Sequence, residues 1–259
     1  MLKTTKSAEP DDQISLSEVR NYKVVKSNNL IQKSRFQLTV QEQKIVLYLI
    51  SKIKPDDKSF MTTEFSITEF CRVCGIHDES GKNYKDIKSA IKALVDKSIW
   101  VTLEDGKETI LRWIDKPLID KNAGTMQIKL DDLLKPYLLQ LRENFTQFEL
   151  LYTLAMKSQY SIRLYEILRS YEYKHKIEFH IDELKELLSA SCYGRYPDFR
   201  RNVLEIAMKE IDALSDINVS YEVVKQGRRY ARIRFSVYIK KDLDERFGTW
   251  KRIQGIIGQ

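Results

Sequence analysis

Glycine and proline are scarce, at 9 and 5 among 259 residues. That scarcity excludes collagen-like repeats, mucin-like stalks and long flexible linkers, and it speaks against a loop-rich all-β sandwich. Cysteine is scarcer still: Cys71, Cys74 and Cys192 cannot all pair with one another, which suits a reducing compartment. The longest apolar run, Ile45 to Ile50, is far too short to span a membrane, and the opening stretch MLKTTKSAEPDD has no apolar signal-peptide core. These lacks predict a cytoplasmic protein with no membrane partner. With 42% hydrophobic and 31% charged residues, the chain can bury the cores of two domains of roughly 100–150 residues each.

The charge is unevenly placed. The net +7 divides into an excess of +2 up to Leu150 and +5 beyond it. Between Arg195 and Lys241 stand 11 basic residues against 6 acidic ones. A phosphate backbone is attracted to such a cluster, because each neutralised phosphate releases counterions. Charge alone would serve a solvated face equally well.

A duplication sharpens the choice. Phe65-Ser-Ile67-Thr-Glu69-Phe70 matches Phe179-His-Ile181-Asp-Glu183-Leu184 at an offset of 114. Tyr84, Ile87, Ile91, Leu94 and Lys97 match Tyr196, Phe199, Val203, Ile206 and Lys209 at 112, and Ile45, Leu47-Tyr48 and Ile50 match Ile162, Leu164-Tyr165 and Ile167 at 117. Three blocks in one order point to one unit used twice. Each unit opens with a helix of 3.6-residue apolar period (Ile45, Val46, Leu49, Ile50, Ile53; Ile162, Tyr165, Ile167, Leu168). A short helix follows a Phe-x-Ile strand start, with Thr68 and Asp182 expected as N-caps. Third helices are expected over Asn83 to Lys97 and Asp198 to Leu214. Hairpins should close the units: Trp100 to Leu103 with Thr109 to Ile114 around an Asp-Gly turn, and Asn218 to Val224 with Tyr230 to Tyr238 around a Gln-Gly turn.

Helix, helix, turn, helix and ribbon describe a winged helix-turn-helix. The expected fold is α+β: two tandem winged helix-turn-helix domains related by internal duplication. The third helix of such a unit can enter a major groove while the ribbon lies along the flanking backbone. The first ribbon tip, Glu104-Asp105-Gly106-Lys107-Glu108, would be repelled by phosphate, whereas the second is Lys225-Gln226-Gly227-Arg228-Arg229. Period-2 alternation puts Tyr230, Arg232 and Arg234 on one face of that ribbon and Ala231, Ile233 and Phe235 on the other. Arg195, Arg200 and Arg201 cluster at the start of the third helix, with Lys209 further along. The second unit is therefore expected to be the main DNA reader. Lys82, Lys85, Lys88 and Lys92 stripe the equivalent helix of the first unit, a pattern that suits either backbone attraction or a solvated face.

Catalytic signatures are weak. Cys71-x-x-Cys74 with His77 is half a zinc site without a second half, and Ile67, Phe70, Cys71 and Cys74 form a core stripe instead. Gly75-x5-Gly81-Lys82-Asn83 has one residue too many for a phosphate-binding loop and Asn where Ser or Thr would ligate magnesium. A DNA-nicking enzyme would need two histidines flanking one apolar residue, and none of the three histidines is so placed. The chain reads as a binder, not an enzyme, with no cofactor and no metal.

Three stretches carry a resemblance. They are Asn28-Asn29-Leu30-Ile31 running into Leu38-Thr39-x-x-Glu42-Gln43-Lys44-Ile45, then Lys157-Ser158-x-Tyr160-Ser161-Ile162-Arg163-Leu164-Tyr165-Glu166, and the hairpin Gly227-Arg228-Arg229-Tyr230 through Phe235. Together the chain resembles the iteron-binding plasmid replication initiators over roughly residues 28–241. The resemblance implies a polar segment (1–27), a first winged domain (28–142) giving dimerisation and auxiliary DNA contacts, a second (143–241) reading DNA, and a tail (242–259). It implies binding of directly repeated double-stranded DNA at a replication origin, a monomer–dimer equilibrium, opening of adjacent DNA, and recruitment of the host initiator and replicative helicase. A two-domain transcriptional repressor would use the same contacts. Arg163 is expected to be structural, at the domain junction.

Overall fold

The structure, a computed structural model, describes residues 22–74, 82–103 and 105–257. The first unit opens with β1 (Lys23–Ser27), α1 (Asn28–Lys33), β2 (Ser34–Arg35) and α2 (Val40–Ser51). Helix α2 starts on a capping box: Glu42 N–H donates to Thr39 Oγ1, and Thr39 N–H donates to the Glu42 carboxylate at 2.7 Å. Lys97 Nζ stands 2.6 Å from the same carboxylate, which lets Glu42 be buried. From Glu42 to Ile50 every residue of α2 is buried, so this helix is enclosed on all sides and not on one stripe.

Next come β3 (Thr63–Ser66), α3 (Ile67–Cys74) and α4 (Lys82–Asp96), then β4 (Ser98–Thr102), β5 (Glu108–Arg112), β6 (Ile114–Asp120) and β7 (Thr125–Leu130). A turn of 3₁₀ helix (Asp132–Leu134), α5 (Lys135–Leu138), β8 (Phe145–Glu149) and α6 (Leu151–Leu154) lead into the second unit. That unit is α7 (Gln159–Ser170), β9 (Lys176–His180), α8 (Ile181–Leu187), α9, β10 (Ile217–Gln226) and β11 (Arg229–Ile239). Helix α9 covers 196–214 and has three stretches: Tyr196–Phe199, a π-helical Arg200–Leu204, and Glu205–Leu214. Pro197 sits in its first turn, where a missing N–H costs nothing.

The repeat holds for the helices, and three details differ from expectation. First, α3 and α8 begin at Ile67 and Ile181, so Thr68 and Asp182 stand inside the first turn and are not N-caps. Ile181 is buried and must turn inward as soon as the strand ends. Second, the first ribbon stops at Arg112, and Ile114 begins another hairpin, β6–β7, closed by a turn at Lys121 to Gly124. There Asp120 Oδ1 accepts from the Asn122 and Ala123 N–H groups, and Gly124 takes φ +66. Third, the sheets are wired differently. In the second unit the order is β10-β11-β9, whereas in the first β3 pairs with β7 in the order β3-β7-β6, and β4–β5 joins β2. By pairing, β6–β7 holds in the first unit the place that β10–β11 holds in the second.

Long-range contacts tie the opening elements to β8, α7 and α8. β1 pairs antiparallel with β8, from Lys23 opposite Glu149 to Ser27 opposite Phe145. Lys26 and Glu166 form a buried ion pair at 2.7 Å. Arg163, 3% exposed, donates from Nη2 to Ile31 O (2.8 Å) and Ser34 O (3.1 Å) and from Nε to Leu187 O (3.3 Å). Burial lowers the Arg163 guanidinium to about 10 and holds Lys26 below the ordinary ammonium range, against the pull of Glu166. The Lys157 to Glu166 stretch is thus a junction. Beyond β11, α10 (Leu243–Ile257) packs on α9 with Thr249 and Ile253 buried. Lys240, part of the basic cluster, is buried beneath it and donates to Asp212 O and Thr249 Oγ1.

Candidate nucleic-acid interface

Period-2 geometry builds the second ribbon as expected: Ile233, Phe235 and Val237 are buried and Tyr230 and Arg232 are exposed. Strands β10 and β11 run for 10 and 11 residues, longer than the turn signals suggested. Gln226 pairs with Arg229, leaving a two-residue turn of Gly227 and Arg228 in which Gly227 takes φ +62. At that tip Arg228 and Arg229 are exposed and make no ion pair among the described residues. Lys225 Nζ lies 4.9 Å from the Tyr230 ring centre.

The tip is held beside the start of α9. The Tyr196 and Tyr230 rings are 4.4 Å apart, and burial pushes the Tyr196 phenol up to about 12. Arg195, Arg200 and Arg201 are therefore brought together with Lys225, Arg228 and Arg229. Lys209 is exposed but lies about 13 Å further along α9 than Arg200, at 1.5 Å per residue. The first unit repeats this contact: Tyr84, which matches Tyr196, carries Lys121 of the β6–β7 tip 5.7 Å from its ring centre.

Many of the arginines already have carboxylate partners. Arg195 Nε donates to Asp198 Oδ2 (2.9 Å), and Arg201 Nη2 lies 3.7 Å from Asp198 Oδ1. Arg200 Nε donates to Glu205 Oε1 (2.8 Å), which holds this guanidinium more firmly protonated. Arg232 Nη1 donates to Glu178 Oε1 (2.9 Å), while Arg234 binds Glu178 Oε2 through Nη2 (2.8 Å) and Glu222 Oε1 through Nη1 (2.7 Å). Arg232 and then Arg234 hold the Glu178 carboxyl below its usual range. The acids were not singled out by sequence. Asp198 had a local signal, three residues from both Arg195 and Arg201. Glu178 had none, since it meets Arg232 and Arg234 only through the β9–β11 register.

In the first unit Lys85 and Lys88 are exposed, Lys92 is paired with Asp96, and the Lys82 side chain lies outside the described residues. At the β4–β5 tip Lys107 Nζ is 2.8 Å from Asp105, whose carboxyl it lowers; Glu104 lies outside the described residues. Cys71 is buried, whereas the Cys74 side chain, His77 and the Gly75 to Gly81 loop also lie outside them. Among the described residues no group of three His, Cys, Asp or Glu is placed to hold a metal, and no helix is long and apolar enough to cross a membrane.

A family model described as "Initiator Replication protein, WH1" matches residues 23–169, and one described as "Initiator Rep protein, WH2" matches residues 180–237. The chain belongs to the plasmid replication initiator family. The chain is also 31% identical over 152 residues to the PI protein of Escherichia coli, covering 51% of this chain and 49% of that protein. It thus spans about half the length of this curated relative. Its fold is two tandem winged-helix domains of mixed helix and strand, a winged-helix family and not a classical enzyme family.

Proposed function

We propose that this initiator binds directly repeated double-stranded DNA at a plasmid origin, with the second winged unit as the main reader. In this reading α9 enters the major groove and the β10–β11 ribbon follows the flanking backbone. The observation that carries it is the gathering of Arg195, Arg200 and Arg201 with Arg228 and Arg229, which are exposed and make no ion pair among the described residues, around the Tyr196–Tyr230 contact. Lys85 and Lys88 add weaker backbone attraction from the first unit, which also serves a monomer–dimer equilibrium. Bound to its repeats, the initiator helps open adjacent A·T-rich DNA, recruits the host initiator and replicative helicase, and represses its own gene. It does this as a cytoplasmic binder without catalysis, metal or cofactor.

A footprint on the DNA flanking its own gene, at several salt concentrations and with base melting probed in the same reaction, tests this. Protection of regularly spaced direct repeats beside a melted A·T-rich stretch is expected. Protection of one palindrome over the promoter without melting would show a repressor instead.

A further inference from the structure

The arginines at the start of α9 differ from those of the ribbon in which nitrogen their carboxylate takes. Arg195 and Arg200 each give up only Nε, to Asp198 and Glu205. That leaves the terminal Nη1/Nη2 edge of each planar guanidinium without a hydrogen-bond partner among the described residues. Arg234, by contrast, has Nε and Nη2 on Glu178 and Nη1 on Glu222, so both of its edges are engaged within the ribbon.

The Arg200–Glu205 pair depends on an irregularity in the helix. Residues five apart are not neighbours on an α-helix, where contacts run to i+3 and i+4. The π-helical stretch Arg200–Leu204 ends with the Glu205 N–H bonded to Arg200 O, and this wider turn brings the two side chains into register. Such turns occur often at functional sites.

Resting on the DNA-reading role proposed above, we infer that Asp198 and Glu205 are specificity-determining positioning residues. Each anchors an arginine by Nε so that the free Nη edge faces outward as a fork for guanine O6 and N7. Anchoring removes rotamer freedom before DNA arrives, and less ordering is left to be done on binding. The carboxylate also offsets the arginine's charge, which weakens attraction to any phosphate and leaves guanine recognition as the favourable use of the side chain. Phosphate attraction is then the work of Lys225, Arg228 and Arg229.

The test is selection from a library of random duplex DNA by the full chain and by Asp198→Asn and Glu205→Gln. The enriched duplex and a scrambled duplex of the same length are then titrated against salt. Wild type should enrich a guanine-containing sequence. Each variant should lose preference at one or more of those guanines. Its affinity ratio for enriched over scrambled duplex should fall about tenfold. Binding to the scrambled duplex should be unchanged or tighter, with a salt slope steeper by about one. An unchanged enriched sequence and ratio would overturn the inference, as would an equal fall on both duplexes, which marks a merely structural role. If wild type enriches no sequence at all, the DNA-reading role fails first and the inference with it.

Discussion

In the second winged unit the strand before the second helix, β9, is held by β11, the closing strand of the wing. In the first, the corresponding β3 is held by β7, and in chain order the β4–β5 hairpin comes between the third helix and the β6–β7 hairpin of that sheet. The helices α2, α3 and α4 nevertheless follow α7, α8 and α9, because buried residues such as Ile45, Phe65 and Ile87 and their counterparts Ile162, Phe179 and Phe199 fill the same positions. The difference lies in the ribbon, which packs by one face and leaves the other free to change. At about 3.3 Å per residue the second wing extends roughly 33 Å and the first, with strands of 7 and 6 residues, roughly 20 Å. Three cations crowd the longer tip, and Lys121 is alone on the shorter one. Reach and charge together support the proposal that the second unit is the main reader.

The strongest way to break the comparison is to separate the units. Glu166→Ala leaves Lys26 and Arg163 as buried charges without their carboxylate and should cost about 3–5 kcal/mol. Urea unfolding followed by fluorescence should then resolve two transitions, since Trp113 reports the first unit and Trp250 the helix packed on the second. One coincident transition with little loss would show that the buried Lys26–Glu166 pair does not hold the units together.

A smaller effect sharpens the contrast between the tips. Arg228→Ala with Arg229→Ala should reduce the salt slope of DNA binding by about two, and Lys121→Ala by about one at most. Asp105→Asn, on the hairpin that has no counterpart in the second unit, should not weaken binding. Equal slopes for the two tips would remove the contrast, and a larger change for Lys121→Ala would reverse the assignment of the main reader.

The smallest effect concerns alkali. Burial raises the Tyr165 phenol well above its ordinary range, and it raises Tyr152 to about 12. In the unfolded chain both ionise near pH 10. Between pH 10 and 12 the folded state therefore holds more protons; this stabilisation is whole below pH 10 and is lost as the pH rises through the folded values. Denaturation at pH 9, 10 and 11 should show that fall, and Tyr165→Phe, which removes one phenol, should flatten it. An equal fall in the variant would assign it to other groups.

Much of this was legible in the sequence, for local reasons. The offset of 114 aligns β3–α3 with β9–α8, and alternation set the buried face of β11. The β6–β7 hairpin was missed although Asn122-Ala123-Gly124 is a turn signal and Met126, Ile128 and Leu130 alternate. The duplicated blocks have no counterpart there, so the repeat frame offered no place for it. What lay beyond reach was non-local: the Glu178 pairs need strand register, the Arg200–Glu205 pair needs a π turn that a 3.6-residue period does not announce, and Lys26 meets Glu166 across 140 positions.

The pairing of β1 with β8 also bears on how the chain is made. A ribosome adding about 5–20 residues per second releases β1 roughly 6–25 s before β8 emerges to meet it. During that interval the hydrogen-bonding edge of β1 is open, and the nascent first unit can be completed only by residues that introduce the second. The first unit is thus closed only after residue 149 is made, and a chain interrupted near residue 142 would leave β1 without its strand.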